Sequence, residues 1–256
     1  MGQVDLNADL GESFGVYRLG NDPEMLRIVT TANVACGFHA GDPLVMFRTM
    51  EMARENGVAV GAHPSLMDLW GFGRRMIVGE DPADIEKLLI YQIGAAQAVA
   101  AAAGHRITHV KTHGVLGTMA NEDAELATAI ARAIRTVDRD LFYTVMPLTQ
   151  SEAAAERLGL RLVREVYADR TYQENGNLTP RKIPGAVIHD PAQAAERAVR
   201  MVLEGAIFTA EGTRLPVPVD TICVHGDTPG AVEAATIIRD RLTENGIRLR
   251  PFAAAD

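Results

Sequence analysis

The sequence predicts one α/β barrel of parallel strands, on three observations. Short apolar runs alternate with longer amphipathic stretches along the chain, the rhythm that produces parallel pairing with right-handed crossovers. The runs lack strict apolar–polar alternation, as strands covered on both faces do. Four of them lead into histidine beside glycine or proline: Val34-Ala-Cys-Gly-Phe-His39, Val58-Ala-Val-Gly-Ala-His63-Pro64, Ile107-Thr-His-Val-Lys111-Thr-His113-Gly114 and Thr221-Ile-Cys-Val-His225-Gly226-Asp227. A parallel barrel gathers the C-terminal ends of its strands into one mouth, where residues distant in sequence converge.

Taken in order, strands are expected at 3–7, 32–36, 58–62, 107–111, 142–146, 162–167, 186–189 and 220–224. Helices are expected at about 22–29, 43–56, 82–103, 122–136, 149–158, 191–204 and 229–245. Asp22-Pro23, Asp42-Pro43, Asp81-Pro82 and Asp190-Pro191 mark helix starts. Aspartate accepts from the free amide groups, and proline fills the first position, where its missing N–H costs nothing. Gly57, Gly104, Gly159, Gly205 and Gly246 mark helix ends. Seven or eight such units favour a closed or nearly closed barrel over a doubly wound open sheet. No Gly-x-Gly-x-x-Gly follows the first strand and there is no P-loop. The 256 residues carry no linker or composition shift, so 1–256 reads as one domain.

A formal net charge of −8 without a dense basic cluster argues against nucleic acid or an anionic membrane surface as partner. The N-terminus lacks the basic and apolar regions of a signal peptide. The Ala-rich run 88–103, broken by Gln92 and Gln97, reads as a buried helix rather than a membrane span. Cys36 and Cys223 lie inside apolar strands, which suits free thiols in a reducing cytoplasm.

Asp5, Asn7 and Asp9 alternate on the first strand and so face the barrel lumen, with Glu12 just past its end. Buried carboxylates there need a cation, a proton or several donors. Asp5 is expected to pair with a lysine or arginine lower in the barrel, and Asp9 to serve the site. Lys111 and His113 share a face and enter the mouth with His39, His63 and His225. His109 shares their parity but lies deeper, as a packing residue, and His105 is expected to be exposed. Asp227 either orients His225 or caps the last helix. The trio Asp9, His39 and His63 allows a divalent metal without a local motif requiring one. No Gly-x-Ser-x-Gly elbow supports a serine nucleophile. Two connections exceed ordinary loop lengths. One, 64–80, carries Trp70, Phe72, Arg74 and Arg75; the other, 168–185, carries Asp169, Arg170, Tyr172 and Arg181. Both read as ordered covers over a substrate.

Several segments together resemble the LamB/YcsF family. They are Asp5-Leu-Asn-Ala-Asp-Leu-Gly-Glu12-Ser-Phe-Gly15, Asn33-Val-Ala-Cys-Gly-Phe-His-Ala-Gly-Asp-Pro43, Gly61-Ala-His-Pro64, Gly71-Phe-Gly-Arg-Arg75, Glu165-Val-Tyr-Ala-Asp-Arg170, Pro184-Gly-Ala-Val-Ile-His-Asp190 and Asp220-Thr-Ile-Cys-Val-His-Gly-Asp227. The resemblance spans nearly the whole chain. It implies a distorted TIM-like (β/α) barrel of about seven parallel strands, related to glycoside hydrolases and deacetylases. It also implies the A component of a 5-oxoprolinase, which opens the 5-oxoproline lactam to L-glutamate with ATP as co-substrate and with B and C partner subunits. Asp9, His39, His63, Lys111, His113 and His225 would then divide the catalytic tasks. Asn7, Glu12, Arg74, Asp169, Arg170 and Asp227 would bind substrate, with Lys111 or Arg74 holding phosphate.

The chain departs from the family pattern twice. Ser65-Leu66-Met67-Asp68 stands for the usual Gly-Tyr-Pro-Asp, and Lys111-Thr-His-Gly-Val-Leu-Gly117 for Lys-Pro-His-Gly-Ala-Leu-Tyr. Another lactam or cyclic amide therefore stays open as substrate. So do a stand-alone metal-dependent hydrolase or deacetylase and a non-catalytic regulator that binds a small acid. Oligomeric state stays open as well, a homo-oligomer included.

Overall fold

In a computed structural model, residues 2–224 and 230–253 are described. Seven parallel strands close a barrel: β1 (Gln3–Leu10), β2 (Thr31–Ala35), β3 (Ala59–His63), β4 (Ile107–Lys111), β5 (Phe142–Val145), β6 (Arg161–Tyr167) and, later in the chain, β9 (Thr221–Val224). Strand β9 pairs with both β6 and β1, which shuts the sheet. A short hairpin, β7 (Ala206–Phe208) and β8 (Arg214–Pro216), lies outside it, and β10 (Arg248–Leu249) pairs with the start of β1.

The helices are α1 (Asp22–Met25), α2 (Pro43–Glu55), α3 (Pro82–Ala102), α4 (Gly114–Glu122), α5 (Ala124–Val137), α6 (Gln150–Leu158), α7 (Pro191–Glu204) and α8 (Ala231–Glu244). Leu6, Ala8, Val34, Val60, Ala62, Val110 and Ile222 point outward from the strands and are buried under these helices. Each large apolar side chain so covered contributes about 1.5–3 kcal/mol. Three expected caps form: Asp42 accepts from Leu44 and Val45, Asp81 from Ala83 and Asp190 from Ala192.

The structure corrects several expectations. The run 186–189 is no barrel strand. Val187 makes only an isolated bridge with Arg170, and β9 already takes the place between β6 and β1. Asp22 caps no helix; its carboxylate accepts from the Gly11 amide and the Thr49 hydroxyl, and α1 stops after one turn. Helix α4 has no counterpart among the expected elements, because His113-Gly114 reads as a strand end followed by a loop. His105 is buried, its Nε2 bonded to the Val58 carbonyl at 2.9 Å. Among the described residues, no helix is long and apolar enough to cross a membrane.

Candidate active site

Inside the barrel the inward side chains form two storeys. In the lower one Asp5 accepts hydrogen bonds from the hydroxyls of Thr30 (2.6 Å), Thr31 (2.5 Å) and Thr221. Burial pushes its pKa up to about 6 against the pull of those donors. Its role is structural, as expected, but its partners are hydroxyls rather than a lysine or arginine. Above it, Asn7 donates to Thr221 (2.7 Å) and Glu165 (3.0 Å), and Asn33 donates to Asn7 (2.7 Å). His109 bonds Asn33 Oδ1 at 2.8 Å and Thr108 at 3.0 Å, and burial holds its pKa near 3, so it stays neutral. Its ring occupies the space a side chain at Gly61 would need: a Cβ there would lie 2.3 Å from Nε2.

The upper storey centres on Lys111. Its ammonium lies 2.9 Å from Asp9, 2.8 Å from Glu165 and 3.2 Å from Cys223 Sγ. Burial works against the ammonium charge, but Asp9, Cys223 and Glu165 raise its pKa well above lysine's ordinary value. Burial likewise opposes ionisation of Asp9, yet His63 and Lys111 hold that carboxyl well below the usual range. Glu165 completes this ion triad and was not singled out from the sequence. The signal was there: an acid in the apolar run Leu162-Val-Arg-Glu-Val166, at the spacing that faces the lumen.

Backbone carbonyls determine how the histidines face the site. His63 Nδ1 donates to the Lys111 carbonyl at 2.7 Å, and His113 Nε2 donates to the Phe72 carbonyl at 2.8 Å. Carbonyls only accept, so these two nitrogens carry protons. The remaining nitrogens, His63 Nε2 and His113 Nδ1, face each other 3.0 Å apart, and Asp9 Oδ2 lies 3.2 Å from the first. Burial and His63 push the His113 pKa down to about 3. Three electron-rich atoms thus converge, an arrangement satisfied by one proton on His63 Nε2 or by a cation among them.

His39 stacks on His113 with ring centroids 3.9 Å apart, and both of its buried ring nitrogens lack a hydrogen-bond partner. The donor atoms of His39, His63 and His113 all lie within 4.8 Å of one another. These residues therefore fit a metal ion. His113 joins His39 and His63 of the expected trio, and Asp9 reaches His63 Nε2 with Oδ2 at 3.2 Å while its Oδ1 is turned to Lys111 and Asn33.

A cavity of about 390 Å³ opens above this set. Asp9, His63, Lys111 and His113 line it together with Arg74, Arg170, Arg181, Glu165 and Tyr167. Both long loops contribute to the wall, as expected. Arg170 also anchors its own loop by donating to the carbonyls of Thr179 (2.7 Å) and Ala186 (3.3 Å). The other expected binding residues stand back from the wall. Asn7 belongs to the lower network, Glu12 lies 4.0 Å from His113 Nδ1, and Asp169 accepts from the Ile188 amide through its carbonyl. His39 sits behind His113. His225 and Asp227 lie outside the described residues.

Fold and site define a closed (β/α) barrel with an ionised, histidine-rich mouth. The LamB/YcsF family model matches residues 4–256, and the chain belongs to that family. A Rhodopseudomonas palustris protein, named as the A subunit of 5-oxoprolinase, is 52% identical over 251 residues, 98% of this chain and 99% of that one. The crystal structure of a lactam utilization protein from Thermus thermophilus is 44% identical, with a TM-score of 0.92 over 98% of this chain and 100% of that one. A family 4 carbohydrate esterase from Streptomyces lividans shares the fold alone, with a TM-score of 0.51 at 14% identity over 100% of this chain and 97% of that one. A polysaccharide deacetylase from Bacillus cereus shares the fold likewise, as expected, with a TM-score of 0.51 at 13% identity over 99% of this chain and 93% of that one.

Proposed function

We propose that this chain opens the lactam ring of 5-oxoproline to L-glutamate as the A component of an ATP-dependent assembly. One observation supports this above the others: His63 Nε2 and His113 Nδ1 face each other 3.0 Å apart, Asp9 links His63 to the Lys111 ammonium, and all of these line a cavity also walled by three arginines. Lactam hydrolysis needs those parts. A ring nitrogen takes a proton from water, whose oxygen adds to the carbonyl carbon. The ammonium stabilises the oxyanion, and the protonated ring returns its proton to nitrogen as the C–N bond breaks. Arg74, Arg170 or Arg181 would hold the substrate carboxylate, and Arg74 or Lys111 the phosphate if ATP activates the lactam oxygen. No P-loop serves a nucleotide in this chain, which suits a reaction shared with B and C subunits. Val16 (87% exposed), Trp70 (95%) and Val78 (77%) offer apolar surface to such partners. Cys36 and Cys223, buried and unbridged, suit a cytoplasmic setting.

The test is glutamate release from 5-oxoproline and ATP by this chain with its candidate B and C subunits. Release is expected with the intact chain and lost with Lys111→Ala. Equal release with the variant, or none with the intact assembly, overturns the reading. The second reading, a stand-alone metal-dependent hydrolase, is favoured by the His39–His63–His113 cluster. A divalent ion there would act as a Lewis acid. Activity without ATP or partners that a chelator removes would select it.

A further inference from the structure

We infer that the turn 68–75 is a positioning device for His113 that acts through the main-chain carbonyl of Phe72. Phe72 adopts a φ of 55°, in the left-handed region that a bulky side chain rarely enters. Such conformations persist where surrounding structure over-determines them, and they concentrate at functional sites. Here the surrounding structure is explicit. The buried Asp68 carboxylate accepts from the Gly71 amide (2.9 Å), the Arg75 amide (3.2 Å) and the Arg75 guanidinium, and its carbonyl accepts from the Gly73 amide (3.0 Å). From the opposite side the Val115 amide donates to the Gly73 carbonyl at 2.9 Å.

The turn is also pressed onto the histidines. A Cβ at Gly73 would fall 2.8 Å from His113 Cδ2 and 2.9 Å from His39 Cβ. The Phe72 ring meets His113 edge-on at 5.1 Å, with the Arg74 guanidinium 4.8 Å from its centroid. All of this aims one carbonyl at His113 Nε2, 2.8 Å away. With the proton held there, Nδ1 is left free toward His63. If the carbonyl moved away, His113 could place its proton on Nδ1 and donate to His63 instead, removing the facing electron pairs. Asp68 and Phe72 touch no reacting atom in this scheme; they act through His113.

The claim rests on His113 belonging to the reacting set, but its first readout needs no turnover. In ¹⁵N-histidine-labelled, chelator-treated protein, long-range proton–nitrogen spectra should show His113 protonated at Nε2 and His63 at Nδ1. Asp68→Asn should move His113 toward the Nδ1-protonated form while His109 signals stay in place. Phe72→Gly keeps the carbonyl and suits a positive φ, so it should leave the His113 tautomer unchanged. In the complete assembly Asp68→Asn should lower kcat roughly 10-fold with KM nearly constant. If Asp68→Asn does not fold, Arg75→Met carries the same expectation. The inference is overturned by Nδ1 protonation of His113 in the unmodified chain or by its tautomer surviving loss of the Asp68–Arg75 pair. Conversion of His113 by Phe72→Gly overturns it too, since the ring and not the carbonyl would then hold it.

Discussion

Asp5 and Asp9 lie four residues apart on one strand and face the same lumen, yet they occupy opposite environments. The lower storey is closed: Asp5 has three hydroxyl donors, and Asn7, Asn33 and His109 satisfy one another. The upper storey is ionised, with Lys111 between two carboxylates and two histidine nitrogens facing each other 3.0 Å apart. Burial raises the Asp5 pKa, while charged neighbours lower that of Asp9. The same polar residue types therefore build a support in one layer and a reactive set in the next. What separates them is that neutral donors satisfy one layer while ion pairs fill the other.

The largest test breaks the upper storey. Lys111→Met leaves the buried Glu165 and the half-buried Asp9 without their cation, so urea unfolding at pH 7 should show a loss of about 3–5 kcal/mol. A loss below about 1 kcal/mol would mean that solvent already compensates those carboxylates.

The next test separates the layers by pH. With a folded pKa near 6 against the ordinary 3.8, Asp5 holds its proton more tightly in the folded chain. Its contribution is fully present below about pH 4 and is lost as pH rises through 6. Across pH 4–7 the unfolding free energy should therefore fall in the native chain relative to Asp5→Asn, by up to about 3 kcal/mol. A constant difference between the two proteins would show that the three hydroxyls cancel the burial penalty.

The smallest test perturbs the support alone. Gly61→Ala drives a methyl into the His109 ring, and overpacking of this kind costs about 1–3 kcal/mol. Thermal unfolding should report that loss while lactam binding, followed by calorimetry, changes little. Equal damage to both would mean that the storeys are mechanically one unit.

Much of this was legible in the chain. Aspartate before proline marked three true caps, and period-two spacing placed Asp5, Asn7 and Asp9 in the lumen. The strand ends bearing His63, Lys111 and His113 do meet. What was missed has physical reasons. Residues 186–189 are as apolar as a strand, but only tertiary pairing decides that β9 already fills the closing position. Glu165 contributes through partners on β1 and β4, contacts that no local pattern encodes. The tautomers of His63 and His113 depend on two main-chain carbonyls, one of them aimed by a turn whose unusual φ the residue name Phe72 would argue against.

At the lower end of the barrel, Phe252 packs edge-on against His109 at 5.1 Å and against Phe142 at 5.5 Å. Together with the saturated network above it, this ring makes the barrel a vessel with a stopper. At the other end, the cavity beside Lys111 takes part of its wall from both long loops. Those loops would then set the traffic of solvent as well as the fit of substrate, and His109, walled off from that traffic, is a built-in reference against which changes at the other histidines can be read.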